Sequence, residues 1–191
     1  QNLPDNPEAG TRQVPLSREL YIDADDFMET PVAGFHRLVP GGEVRLKFAF
    51  CIICTEVVKN ADGSIKELRC TYDDATRHGK KPEGRPKVKG IIHWVSAAHA
   101  LDAEVRLYDR LFTAEQPDAG DNDFLELMNP DSLEVITAKL EASLKDAKSG
   151  THYQFERVGY FFTDPVDSQP GKPVFNRTVG LKDSFAKVAG K

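Results

Sequence analysis

"EVRLKFAFCIICTEVVKNADGSIKELRCTY", residues 43–72, decides the fold class. A β-strand alternates its faces at every residue. In residues 43–58, Val44, Leu46, Phe48, Phe50 and Ile52 fall on one side. Glu43, Arg45 and Lys47 fall on the other, at least at the start of the run. That alternation predicts one long strand. "NADGS" (60–64) predicts a hairpin turn, with Asp62-Gly63 supplying the positive φ that such turns need. "IKELRCTY" (65–72) predicts the returning strand.

The same pattern extends outward. "KVKGIIHWVS" (87–96), "EVRLYDRLF" (104–112), "SLEVITAKL" (132–140), "YQFERVGYFFTD" (153–164) and "KPVFNRTVGL" (172–181) all read as strands. In "THYQFERVGYFF" (151–162), Tyr153, Phe155 and Phe161 share one face with Arg157. Val158, Tyr160 and Phe162 share the other with Gln154 and Glu156. Three hydrogen-bonding side chains thus interrupt an otherwise aromatic stretch. The predicted helical pieces are short. They are a turn in "YIDADDF" (21–27) capped by Asp23 or Asp25, "NDFLELMNP" (122–130) stopped by Pro130, and "SLKDAKSG" (143–150) with Ser143 as cap. Residues 1–17 read as an extended arm or linker. There is no internal repeat and no long amphipathic helix, so the expected class is all-β, with barrels or sandwiches.

Bulk properties set limits. The chain has 191 residues, 40% hydrophobic and 29% charged, and a net charge of −5. This suits one large or two small folded domains. No apolar run approaches a membrane span. The first residues lack the apolar core of a signal peptide, which points to the cytoplasm. Three cysteines argue against a secreted disulfide framework. Cys51 and Cys54 have metal-ligand spacing, but residues three apart on a strand face opposite ways, so they read as buried thiols and no metal is expected. The acidic sum argues against nucleic acid. The distribution is less uniform: "RHGKKPEGRPKVK" (77–89) holds six Lys or Arg and one Glu.

No catalytic constellation is found. "DSQPGKP" (167–173) lacks the first glycine and the Ser or Thr of a phosphate-binding loop. The five histidines are scattered, and Asp25-Asp26 and Asp73-Asp74 sit where turn carboxylates are expected. Catalytic residues: none.

"PVFNRTVGLKDSFAK" (173–187), "KVKGIIHWVSAAHAL" (87–101), "EVRLYDRLF" (104–112) and "FERVGYFF" (155–162) resemble the C-terminal half of bacterial glutaminyl-tRNA synthetases, the class I ligases that charge tRNA(Gln). The resemblance implies two β-barrels of the ribosomal-protein-like anticodon-binding fold. The proximal barrel would be 18–34 plus 102–191, and the distal barrel 35–101. It also implies that the catalytic domain, with its HIGH-like and KMSKS-like motifs, lies outside this chain. ATP and Mg would belong to the full-length enzyme, with no cofactor in this chain. The implied partners are tRNA(Gln) with a CUG or UUG anticodon and the enzyme's own N-terminal catalytic domain, with no DNA and no membrane.

Residue by residue, the resemblance places Gln154, Glu156 and Arg157 at the middle anticodon base, a uridine. It places Arg37 at the third base, a guanine, whose O6 and N7 suit a bidentate arginine. Arg45 and Lys47 fall at the first base. His36, Lys87 and Lys89 are phosphate-contact candidates. The family pattern has lysine at His36 and arginine at Lys47. The first change leaves only a partial charge, and the second loses the planar fork. Two rival expectations are a related glutamyl-tRNA synthetase and a free-standing β-barrel interaction module. Arg37 speaks against the glutamyl enzyme, because cytosine in the third position offers an amine donor.

Overall fold

The computed structural model describes residues 2–3, 6–84, 86–119 and 123–181. Part of the expected 122–130 helix, Arg85 of the basic stretch and the 182–187 portion of "PVFNRTVGLKDSFAK" lie outside these residues. The described chain is all-β, and its helical pieces are short 3-10 segments. It divides into two compact units, residues 16–98 and residues 1–15 with 99–191.

The 16–98 unit contains β1 (Leu20–Tyr21), β2 (Glu43–Leu46), β3 (Cys51–Lys59), β4 (Ile65–Asp73), β5 (Ile91–Ile92) and β6 (Val95–Ser96). One sheet runs β4-β3-β2-β5, with β2 and β5 parallel and the other pairs antiparallel. β1 pairs with β6. The core gathers Leu38, Val44, Leu46, Phe50, Cys54, Ile92 and Trp94. Residues 18–34 sit in this unit rather than with 102–191, because β1 is bonded to β6 and Phe27 bridges Leu38.

The expected 60–64 hairpin is present. Asp62 accepts from the Ser64 backbone N–H, and Gly63 has φ 84°. The single strand expected over 43–58 is not. It breaks at Leu46 and resumes at Cys51 as a hairpin with a three-residue loop. The Ala49 N–H donates to the Leu46 carbonyl, and Phe48 has φ 60°. Phe48 is therefore 74% exposed instead of in the core. No Gly, Pro, Asn or Asp marks this turn. The 87–96 strand also shrinks to β5 and β6. Cys54 joins the core and faces Cys70 across the ladder, while Cys51 lies outside that cluster beside Thr76. Cys70 is exposed as a residue, and desolvation of its sulfur beside the Cys54 thiol pushes it up to about 11.

The other unit contains β7 (Leu101–Tyr108), β8 (Leu133–Leu140), β9 (His152–Phe155), β10 (Gly159–Thr163) and β11 (Val174–Gly180), in the order β8-β7-β11-β10-β9. β7 and β11 pair in parallel, and the other pairs among the described strands of this sheet are antiparallel. Its core is Ala103, Val105, Leu140, Phe161 and Phe175, with Tyr153 and Phe155 packed against it. The rings of Phe155 and Phe161 stack at 4.1 Å. The expected continuous strand over 153–164 is again a hairpin, closed by the Val158 N–H on the Phe155 carbonyl. Ser143 is not a cap. Glu141 precedes that 3-10 turn, and its carboxylate pairs with Arg12, tying the N-terminal arm to this unit. Asp23 occupies the cap position of its turn without a side-chain bond.

Candidate nucleic-acid interface

The Phe35–Arg37 segment and the Lys87–Gly90 segment form the two sides of an open cleft of about 360 Å³ in the 16–98 unit. The cleft brings together four basic residues from separate parts of the sequence: His36, Arg37, Lys87 and Lys89. Glu43, at the start of β2, is the carboxylate on its wall. His36, Lys87 and Lys89 are exposed and Arg37 is half-buried.

Local backbone bonding explains the closeness. The Leu38 N–H donates to the Asp26 carbonyl and the Met28 N–H to the Leu38 carbonyl, which anchors the segment behind Arg37. Opposite, the Arg45 N–H donates to the Gly90 carbonyl at 2.9 Å. Gly90 permits the approach. A Cβ there would lie 2.2 Å from the His36 carbonyl oxygen.

Arg37 is oriented from behind. Its Nη1 donates to the Asp25 carbonyl at 2.8 Å, and its Nε lies 3.3 Å from the carboxylate of Asp26, which is 4% exposed. The guanidinium carbon is 5.9 Å from the Phe35 ring centroid. A guanidinium carries five N–H donors. Asp25 and Asp26 thus fix the orientation of the guanidinium at the cleft wall. Sequence reasoning assigned Asp26 to a turn. Nothing in a linear pattern links it to an arginine eleven positions on.

Arg45 lies on β2 and Lys47 one residue beyond its end, each donating its N–H to the 90–92 segment. Arg45 donates from Nη1 and Nη2 to the carbonyls of Thr76 at 3.1 Å and Lys80 at 2.7 Å. It therefore braces the start of the basic loop. Lys47 lies in the hairpin tip beyond β2, with its ammonium 5.0 Å from the Phe48 ring centroid.

In the other unit, Gln154, Glu156 and Arg157 gather at the β9–β10 hairpin. Gln154 faces outward and pairs across the ladder with Tyr160. Glu156 and Arg157 lie in the tip, and Arg157 has φ 67°. The polar groups thus interrupt the aromatic run at a hairpin end: Tyr153 and Phe155 pack against the core, Gln154 and Arg157 are exposed and Glu156 is half-buried. Among the described residues, no three His, Cys, Asp or Glu side chains are grouped to hold a metal ion. No helix among them is long and apolar enough to cross a membrane.

Two family models match the chain, over residues 1–73 and 91–164. Both are described as the anticodon-binding domain of class I tRNA synthetases of the E and Q type. Among curated relatives, the glutamine–tRNA ligase of Cupriavidus necator is 56% identical over 96% of this chain and 32% of its own length. That of Bradyrhizobium diazoefficiens is 53% identical over 100% of this chain and 34% of its own. That of Ectopseudomonas mendocina is 55% identical over 97% and 34%. The chain spans about a third of the length of these relatives. With both matches falling on the sheets described above, the chain belongs to the anticodon-binding domain family of the class I glutamyl- and glutaminyl-tRNA synthetases.

Proposed function

We propose that this chain reads the CUG and UUG anticodons of tRNA(Gln) for a cytoplasmic glutamine–tRNA ligase. The aminoacylation chemistry, with ATP and Mg, would belong to a catalytic portion outside it. The 16–98 unit serves as the distal barrel and the remainder as the proximal one. The observation that carries this reading is the cleft. It collects Arg37, His36, Lys87 and Lys89 around one open space, with the guanidinium oriented by Asp25 and Asp26. An arginine oriented by Asp25 and Asp26 suits the O6 and N7 of guanine, and the flanking basic side chains suit phosphates. Gln154, Glu156 and Arg157 serve the middle uridine, and Arg45 and Lys47 the first base.

The test is Arg37→Ala in the full-length ligase, assayed on tRNA carrying guanine or cytosine at the third anticodon position. The expected loss is about 1–3 kcal/mol on guanine and little on cytosine. Arg37→Lys keeps charge without the fork and should recover affinity better than discrimination. Equal losses on both tRNAs would make Arg37 a positioning residue and remove the main physical support for the glutamine over the glutamyl reading.

A further inference from the structure

Two hairpin tips in this chain share an unusual geometry. In the β2–β3 hairpin, Leu46 and Phe50 flank a three-residue loop whose middle residue, Phe48, has φ 60°. In the β9–β10 hairpin, Phe155 and Gly159 flank a three-residue loop whose middle residue, Arg157, has φ 67°. A left-handed conformation is uncommon for a non-glycine residue and unfavourable for a bulky one. Such strain collects at functional positions. Arg157 is already assigned to the middle anticodon base. Phe48 occupies the corresponding place in the other hairpin.

Phe48 is also 74% exposed, the most exposed aromatic ring among the described residues. Its mounting is firm. The preceding Lys47 N–H donates to the Ile92 carbonyl at 3.0 Å, and the Lys47 carbonyl accepts from the Trp94 indole at 2.9 Å. Ala49, which follows, is buried. A large apolar ring is thus held out in water between two anchored neighbours, with a lysine ammonium 5.0 Å from its centroid.

We propose that Phe48 is a stacking platform for the first anticodon base, with Lys47 serving that nucleotide's phosphate. This rests on the anticodon-reading assignment above. The chemistry fits the position. Every base has a π-face, so stacking holds a nucleotide without choosing its identity. CUG and UUG differ only at the first base. Lys47 has no planar fork and serves a phosphate as a point charge. A ring and a point charge would hold cytidine and uridine alike.

The experiment places pyrrolocytosine at the first anticodon position of the tRNA and measures its fluorescence and affinity with the full-length protein. Phe48→Gly removes the ring and suits the positive φ, so folding should hold. Phe48→Trp keeps a π-face, and Phe48→Leu keeps only apolar bulk. The expected result is loss of quenching with Phe48→Gly, an affinity loss of about five- to hundredfold, and retention with Phe48→Trp. The loss should be the same on CUG and UUG tRNAs. Unchanged quenching in Phe48→Gly, while Arg37→Ala still weakens binding, would overturn the platform and leave the anticodon reading intact. Full retention by Phe48→Leu would overturn stacking in favour of simple apolar contact. No salt-dependent tRNA binding by the unaltered protein would overturn both.

Discussion

The Arg45 guanidinium holds the carbonyl oxygen of Lys80 at 2.7 Å, joining β2 to the basic loop across 35 residues of sequence. A second bond from the same group reaches the Thr76 carbonyl at 3.1 Å. Thr76 is itself buried, accepting from the Cys51 N–H and donating to the Asp73 carbonyl. Arg45 therefore acts on the loop as a brace, whatever it also does toward RNA.

Arg45→Ala should destabilise the 16–98 unit by about 1.5–3 kcal/mol, the range for hydrogen bonds to a charged group. Amide exchange should rise over residues 74–80. Arg45→Lys should recover only part of the protection, since one ammonium lacks the geometry to span two carbonyls as the fork does. Exchange that is unchanged in that segment would show that the loop is held by other contacts.

The sequence was most legible where turn chemistry and alternation agreed. β4 and β8 fall close to their expected bounds, and the 60–64 turn is specified by Asp62-Gly63. It was least legible at the tips of residues 47–49 and 156–158, where Phe48 and Arg157 adopt positive φ without any turn-forming residue to announce it. Strict alternation through 44–52 assigned Phe48 to the core, because the period of two carries no signal for a break between strands. Over 87–96, Gly90 is placed by its close approach to His36, which sequence periodicity does not register. The basic residues of the site were nameable only through family resemblance. As charges they show only one basic stretch, which includes Lys87 and Lys89 but neither His36 nor Arg37. The Asp26 carboxylate behind Arg37 was missed because the pairing is made by folding 26–28 against 38.

Gly90→Ala should be costly although Gly90 needs no positive φ. The added Cβ would meet the His36 carbonyl oxygen at 2.2 Å and Val44 Cγ1 at 3.0 Å, and backbone must shift to admit it. The expected destabilisation is about 1–3 kcal/mol, as for overpacking, with weaker tRNA binding because both cleft walls move. Gly180→Ala, where nothing lies within 4 Å of the new Cβ, is the control and should be near neutral. Urea denaturation and tRNA affinity measure the two effects. Equal behaviour of the two variants would show that the walls separate without cost.

The last prediction concerns acid stability in the other unit. Asp164 accepts from the backbone N–H groups of Val166 and Asp167 at 2.8 Å and from Asn176 at 2.7 Å, with Arg106 at 3.4 Å. The Asp167 backbone bond, then Asn176 and the Val166 N–H, hold its carboxyl below the ordinary carboxylate value. A depressed folded pKa stabilises the fold above the unfolded aspartate value of about 3.9 and ceases to do so as pH falls through the folded value. Asp164→Asn should therefore lower stability at pH 7. Its amide must turn an N–H group toward one of these donors. The gap between the two proteins should narrow as pH falls below about 4, where the unfolded carboxylate takes up a proton, and close only once the folded one is protonated too. Amide protection of β10 and β11, followed between neutral pH and the acid limit of folding, reads the effect where Asp164 acts. A gap that stays constant through that range would mean that the Asp164 bonds stabilise this unit by geometry alone, without the charge.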